Sequence, residues 1–291
     1  MKKLITVLVF FLILLPLPFF STDLDLSIAT STFSMSDKAE LSPKSPTFGG
    51  KVSVTDKLTN QIDGTITFER DAINGNLLSA RGTYHTSFLE ISAGPSFGVL
   101  NTTDNKKDVL MLFQPGLALG FSVIIPGKLV ARADSEFSLP PASNANGQVF
   151  LQKGELSLGF YLPNILCTLK INQRSNVALF EGATITKSIT DYGIYSEAFK
   201  KGSPFRINVD FIYRVADYYI SDDNPVNRKF GHLVLGGGAT WAPRADFNVY
   251  IKGAGSLYTF SLLDHADDLD NFFFDLSLGV RMTVGSPPTI K

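Results

Sequence analysis

Residues 205–215 read Phe-Arg-Ile-Asn-Val-Asp-Phe-Ile-Tyr-Arg-Val. Phe205, Ile207, Val209, Phe211, Tyr213 and Val215 are apolar or aromatic, and Arg206, Asn208, Asp210 and Arg214 lie between them. In a strand the two sets point to opposite faces, so a period of two means one apolar wall and one polar wall. The same pattern recurs along the chain. Phe272, Phe274, Leu276, Leu278, Val280, Met282 and Val284 alternate with Asp275, Ser277, Gly279, Arg281 and Thr283. Leu89, Ile91, Ala93, Phe97 and Val99 alternate with Glu90, Ser92, Gly94, Ser96 and Gly98. No helical period of 3.6 runs through any stretch beyond residue 22, and the class is therefore all-β.

Val109–Gly127 carries no charge and is long enough for a membrane helix. Pro115, Gly116 and Gly120 interrupt it, and Pro126-Gly127 closes it as a turn. Large residues at its odd positions and small or polar ones at its even positions make it a strand.

Composition narrows the class. The chain of 291 residues is 44% hydrophobic, 12% aromatic and only 18% charged, which excludes disorder. Its 26 basic and 27 acidic residues leave a net charge of -1, so a phosphate-neutralising surface for nucleic acid is not expected. Cys167 is the single cysteine, so neither an internal disulfide nor a cysteine zinc cage can form. His85, His232 and His265 are the three histidines, and no metal site is assigned to them. No nucleotide or redox motif is present, and no cofactor is expected.

Lys2 and Lys3 precede an apolar run from Leu4 to Leu15. A positive head and an apolar stretch of this length describe a secretory signal peptide, with residues 1–21 removed near Ser21 or Thr22. A retained anchor is the alternative, but Pro16 and Pro18 would break its helix. Residues 22–291 are then a single transmembrane domain.

Fourteen strands are expected, at 22–33, 47–55, 61–69, 77–85, 88–100, 109–125, 128–138, 148–162, 165–180, 188–199, 205–216, 230–241, 246–260 and 272–284. Short connections such as Thr86–Ser87 and Pro163–Asn164 alternate with longer polar ones such as Ser34–Pro46 and Leu139–Gly147. Short turns at one end and long loops at the other describe a transmembrane up-and-down antiparallel β-barrel. Arg174-Ser175-Asn176 and Gly182 each read as a turn or a bulge, so 12 strands is the alternative count. A soluble sandwich also alternates, but strands of a dozen residues exceed the usual 5–6 of soluble sheets. Leu89, Ile91, Phe97, Phe121, Ile207, Val209, Phe211, Leu233, Val249, Leu276 and Leu278 should face lipid. Pro95 and Pro115 should fall almost opposite one another in adjacent strands, with a bulge relieved by Gly94 and Gly116.

Ser277-x-Gly279-x-x-Met282-x-Val284 follows a polar-x-Gly-x-x-apolar-x-apolar pattern. It resembles the C-terminal assembly signal of bacterial outer-membrane barrels. The family ends on aromatic residues, where this chain has Met282 and Val284 followed by Gly285–Lys291. The resemblance implies an outer-membrane location and a barrel-assembly machinery that reads the closing strand. By size the chain is similar to small monomeric porins of twelve to fourteen strands, without the plug domain of fatty-acid-type transporters.

The inner wall should carry Arg81, Glu90, Arg132, Asp134, Glu136, Lys170, Arg206, Asp210, Arg214, Lys252, Asp275 and Arg281, with His85 and His232. Arg132, Asp134 and Glu136 form one vertical row and Arg206, Asp210 and Arg214 another; if the two rows approach across the lumen, they would create the transverse field of a constriction. A barrel of this size lies between filled and open ones, so a passive channel for small hydrophilic solutes is expected. A non-conducting structural or surface-binding barrel that acts through its long loops is the alternative. A hydrolase at the loop rim is the third reading, carried by Asp264-His265-x-Asp267-Asp268 and Asp222-Asp223. A solvated acidic loop explains those residues as well. His85 and Ser87 lie at a turn and no Gly-x-x-His-x-Ser run occurs, so no catalytic residue is assigned.

Overall fold

The computed structural model describes residues 22–32, 47–71, 75–103, 109–138, 148–180, 183–221, 225–263 and 273–284. They form fourteen strands: β1 (Thr22–Ser31), β2 (Thr47–Lys57), β3 (Ile62–Asp71), β4 (Gly75–His85), β5 (Leu89–Thr103), β6 (Val109–Ile125), β7 (Leu129–Ser138), β8 (Gln148–Leu162), β9 (Ile165–Phe180), β10 (Ala183–Phe199), β11 (Phe205–Ser221), β12 (Val226–Arg244), β13 (Phe247–Ser261) and β14 (Phe274–Val284). Each strand pairs antiparallel with its chain neighbours, and β1 closes on β14 from Thr22↔Val284 to Ser31↔Asp275. Closure leaves no strand edge unpaired, which is the condition for a sheet in hydrocarbon.

The count is fourteen, not twelve, because Arg174, Ser175 and Asn176 run straight through β9 in unbroken register with β8 and β10. Gly182 lies outside the described residues, as do residues 1–21, the centres of the long loops and Gly285–Lys291. The uncharged Val109–Ile125 is a strand, and among the described residues no helix is long and apolar enough to cross a membrane. At the short-turn end Pro163 presets its own φ and Asn164 takes a φ of 63°, so two residues suffice to join β8 to β9.

The outer wall carries the large apolar side chains. Phe211 and Ile207 are each 59% exposed, Phe121 48% and Leu278 46%. Ile91, Val209, Leu233 and Leu276 are also exposed, and Leu89, Phe97 and Val249 are half-buried. The buried set, in contrast, includes Ser79, Ser96, Ser157, Asn176, Asp191, Arg214 and Thr259. Polar inside and apolar outside is the inverse of a soluble domain, and it fits a wall surrounded by lipid. Phe88, Phe160, Phe205 and Trp241 are exposed near the short-turn end, and Phe48, Tyr219 and Tyr258 near the other. These positions match the two aromatic girdles of a bilayer-spanning barrel.

The prolines depart from expectation. The register places Pro95 opposite Leu117 and Pro115 opposite Phe97, and β5 and β6 pair through both without a break. The interruption falls on the other side of β5, where the pairs between Ser79↔Ser96 and Gly82↔Ala93 are missing. Proline has no N–H to give the ladder, so the loss appears against β4. A Cβ on Gly94 would press on the Ala80 carbonyl there. A bulge was not foreseen in β13. Its register with β12 shifts between Leu233↔Tyr258 and Val234↔Ser256, leaving Leu257 as an extra residue. Leu257 and Tyr258 therefore both face out, and Ser256 and Thr259 both face in.

Candidate functional site: the barrel interior

The interior is crossed by ion pairs that no single strand reveals. Arg81 on β4 bonds both Asp134 and Glu136 on β7, with Nη2 donating to Glu136, and Ser79 Oγ donates to Glu136 at 3.2 Å. Lys153 Nζ on β8 reaches Glu69 Oε2 on β3, and Lys170 Nζ pairs with Glu155 at 2.6 Å. The charged groups of these pairs other than Lys170, together with Lys51, Glu90 and Arg132, surround a cavity of about 460 Å³ whose lining comes from β2 to β8.

A second cluster stands on the opposite side. Arg214 is buried and makes a bidentate pair with Asp191, Nε to Oδ1 at 2.7 Å and Nη2 to Oδ2 at 3.0 Å. Its Nη1 donates to Asp275 at 3.2 Å, and Ser31 Oγ also bonds Asp275. The Phe273 ring lies 5.0 Å from the guanidinium carbon. Such a planar fork gives one carboxylate two parallel N–H donors and still has another for the second, a fixed geometry that a lysine ammonium does not offer. Above it Ile189, Ala216, Val234 and Phe273 pack as a small apolar cluster, and His232 Nδ1 shares a hydrogen bond with Thr259 at 2.9 Å. Beside Arg214 lies a cavity of about 260 Å³, lined in part by Arg70, Arg174, Lys252 and Asp275.

Members of both charged rows are engaged by partners on other strands. Asp134 and Glu136 are held by Arg81, and Arg214 by Asp191 and Asp275. Arg206 stands at the short-turn mouth, 60% exposed, and pairs with Glu197 at 3.1 Å. Arg281 stands at the same mouth and pairs with Asp25 at 2.9 Å. Asp210 accepts from Asn208 at 3.2 Å, and Lys252 lies over the Tyr250 ring. Arg132 lines the larger cavity.

Glu69, Lys153, Glu155, Asp191 and Arg174 were missing from the expected set. Period two does place Asp191 inside with Ile189 and Tyr195, but apolar residues on the inner wall hide that parity in the sequence. In the closing strand, Ser277 lines the smaller cavity, and Met282 and Val284 pair with Leu24 and Thr22 of β1. Gly279 lies opposite Tyr250, whose ring occupies the space a Cβ would take, and whose hydroxyl donates to Asp25 at 3.0 Å.

His85 at the short-turn end contacts Asp63 at 2.8 Å and Glu90 at 3.4 Å. The loop-rim candidates Asp222, Asp223, Asp264, His265, Asp267 and Asp268 lie outside the described residues. Among the described residues no group of three or more His, Cys, Asp or Glu side chains is placed to hold a metal.

Solved structures share this architecture. An outer-membrane channel of Pseudomonas putida F1 matches at a TM-score of 0.53 and 10% identity, over 92% of this chain and 97% of that one. The chain has the fold of the bacterial outer-membrane β-barrels. OmpT, an outer membrane protein of Vibrio cholerae, matches at a TM-score of 0.44 and 9% identity, over 90% of this chain and 96% of that one. The CymD monoaromatic hydrocarbon channel matches at 0.42 and 10% identity, over 92% and 89%. No protein-family model and no curated protein matches the chain. As an outer-membrane barrel it presents its apolar band to the bilayer and keeps its charged groups on the inside.

Proposed function

We propose that this outer-membrane barrel is a passive diffusion channel for small hydrophilic solutes. The observation that carries the reading is the pair of interior cavities, about 460 and 260 Å³, both lined with charged and hydroxyl side chains. A barrel that served only as a scaffold has no need to keep such volume polar, because charges held inside a protein are costly unless paired or hydrated. On this reading Arg132, Asp210 and Lys252 border the path, and Arg206 and Arg281 flank its short-turn mouth. Transport needs no cofactor or energy source, and the reading gives the chain no catalytic role. Residues 1–21 direct export, and the Ser277–Val284 strand is what the assembly machinery engages. Refolded protein in liposomes should admit small sugars and exclude large ones in a swelling assay, and liposomes that exclude both would refute the reading.

A second reading has specific support. The apolar cluster of Ile189, Ala216, Val234 and Phe273 fills part of the interior, and Leu151 packs against Gly98 from across three strands. A barrel filled this way would not conduct and would act through its long loops. Folded protein with no permeability would favour it.

A further inference from the structure

The two cavities differ in charge, and cations predominate in the lining of the smaller one. Arg70, Arg174, Arg214 and Lys252 line it, and Asp275 is the one carboxylate among its described lining residues. Two further carboxylates stand nearby on the inner wall. Asp191 turns both oxygens to Arg214, with Arg174 Nη2 4.0 Å from its Oδ2, and Asp210 accepts the Asn208 amide; neither lines the cavity. The cavity lining therefore carries four cations and one carboxylate, and Asp191 beside it offsets part of that charge. The larger cavity is balanced the other way, with Glu69, Glu90, Asp134, Glu136 and Glu155 against Lys51, Arg81, Arg132 and Lys153.

Arg214 cannot turn away, because Asp191 grips it at two points and Asp275 at a third. Fixed cations lose no freedom when an anion arrives, and low-dielectric walls strengthen their field. Ser31, Thr47 and Ser277 border the same space and add hydroxyl groups. A volume of about 260 Å³ holds a phosphate-sized group with part of its hydration, since one water takes about 30 Å³.

We infer that this cavity is a binding site for a small oxyanion, a phosphate or carboxylate group held between Arg174, Arg214 and Lys252. The inference rests on the channel reading only for its electrical consequence, and the binding itself does not require conduction.

The test is calorimetric titration of inorganic phosphate into the folded barrel in detergent, followed by current measurement in phosphate. Saturable binding by the wild type is expected, with an affinity at least tenfold weaker in the R174S/K252S variant. The R174K/K252R variant keeps the charges and should keep the binding. In a bilayer, phosphate should reduce chloride current through the wild type and not through R174S/K252S. Absence of binding to folded wild type, or equal binding by R174S/K252S, would overturn the site. Binding without any current would leave the site standing and remove the channel.

Discussion

Lys153 on β8 and Glu69 on β3 meet across the barrel interior with Nζ and Oε2 2.5 Å apart, although their strands stand five places apart in the ring. Both residues line the larger cavity, and neither lines the smaller one, whose walls come from β1 to β3, β9 to β11, β13 and β14. The bridge therefore narrows the interior at the larger cavity. The K153M/E69Q pair should widen the path and raise the unit conductance, with the folded barrel retained. In a double-mutant cycle on urea unfolding, the coupling should be about 1–3 kcal/mol, as expected of residues in direct contact. Unchanged conductance with zero coupling would show that the bridge neither narrows the path nor ties the two strands.

Arg214 gives the sharpest stability prediction. Arg214→Met would leave Asp191 and Asp275 charged and without their buried cation. Breaking a buried pair by removing one member costs about 3–5 kcal/mol. The second change Asp191→Asn should return part of that loss, because it removes the stranded charge. Equal unfolding free energies for wild type and Arg214→Met would contradict the network.

The outer wall can be tested by depth. Phe211→Arg places a cation on the lipid face near mid-strand and should cost about 2–4 kcal/mol. Asn208→Arg, three residues away on the inner wall, should cost far less. Similar losses at both positions would mean that the two faces are not lipid and lumen.

Most of the fold was legible because period two survives wherever one wall must be apolar. The alternation at Phe205–Val215 and Leu89–Val99 located those strands, and the alternation of short and long connections gave their direction. The proline offset was not legible, because it depends on how residues divide across the loop from Asn101 to Asp108. The interior pairing was not legible either. Ile212 and Ile189 are apolar residues facing inward, so they blur the rule that would have marked Asp191 as an inner residue. Lys153 and Glu69 become partners only through closure of the ring, a relation that strand-by-strand reading does not contain.

Gly279 carries a prediction about closure. Gly279→Val would displace the Tyr250 ring from its place against β14 and break the bond to Asp25 on β1. Aromatic cover of a sheet glycine helps fix register. The variant should refold more slowly, measured by the shift in gel mobility between unheated and heated samples. Refolding at the wild-type rate would show that the Tyr250–Asp25 contact does not guide closure.

The central claim is that the interior conducts. The most direct measurement is current through single refolded barrels in a planar bilayer, with folding verified by heat-modifiable gel mobility. The channel account predicts discrete, stepwise conductance increases in potassium chloride without added energy source. A barrel that is folded and inserted yet passes no current would contradict it.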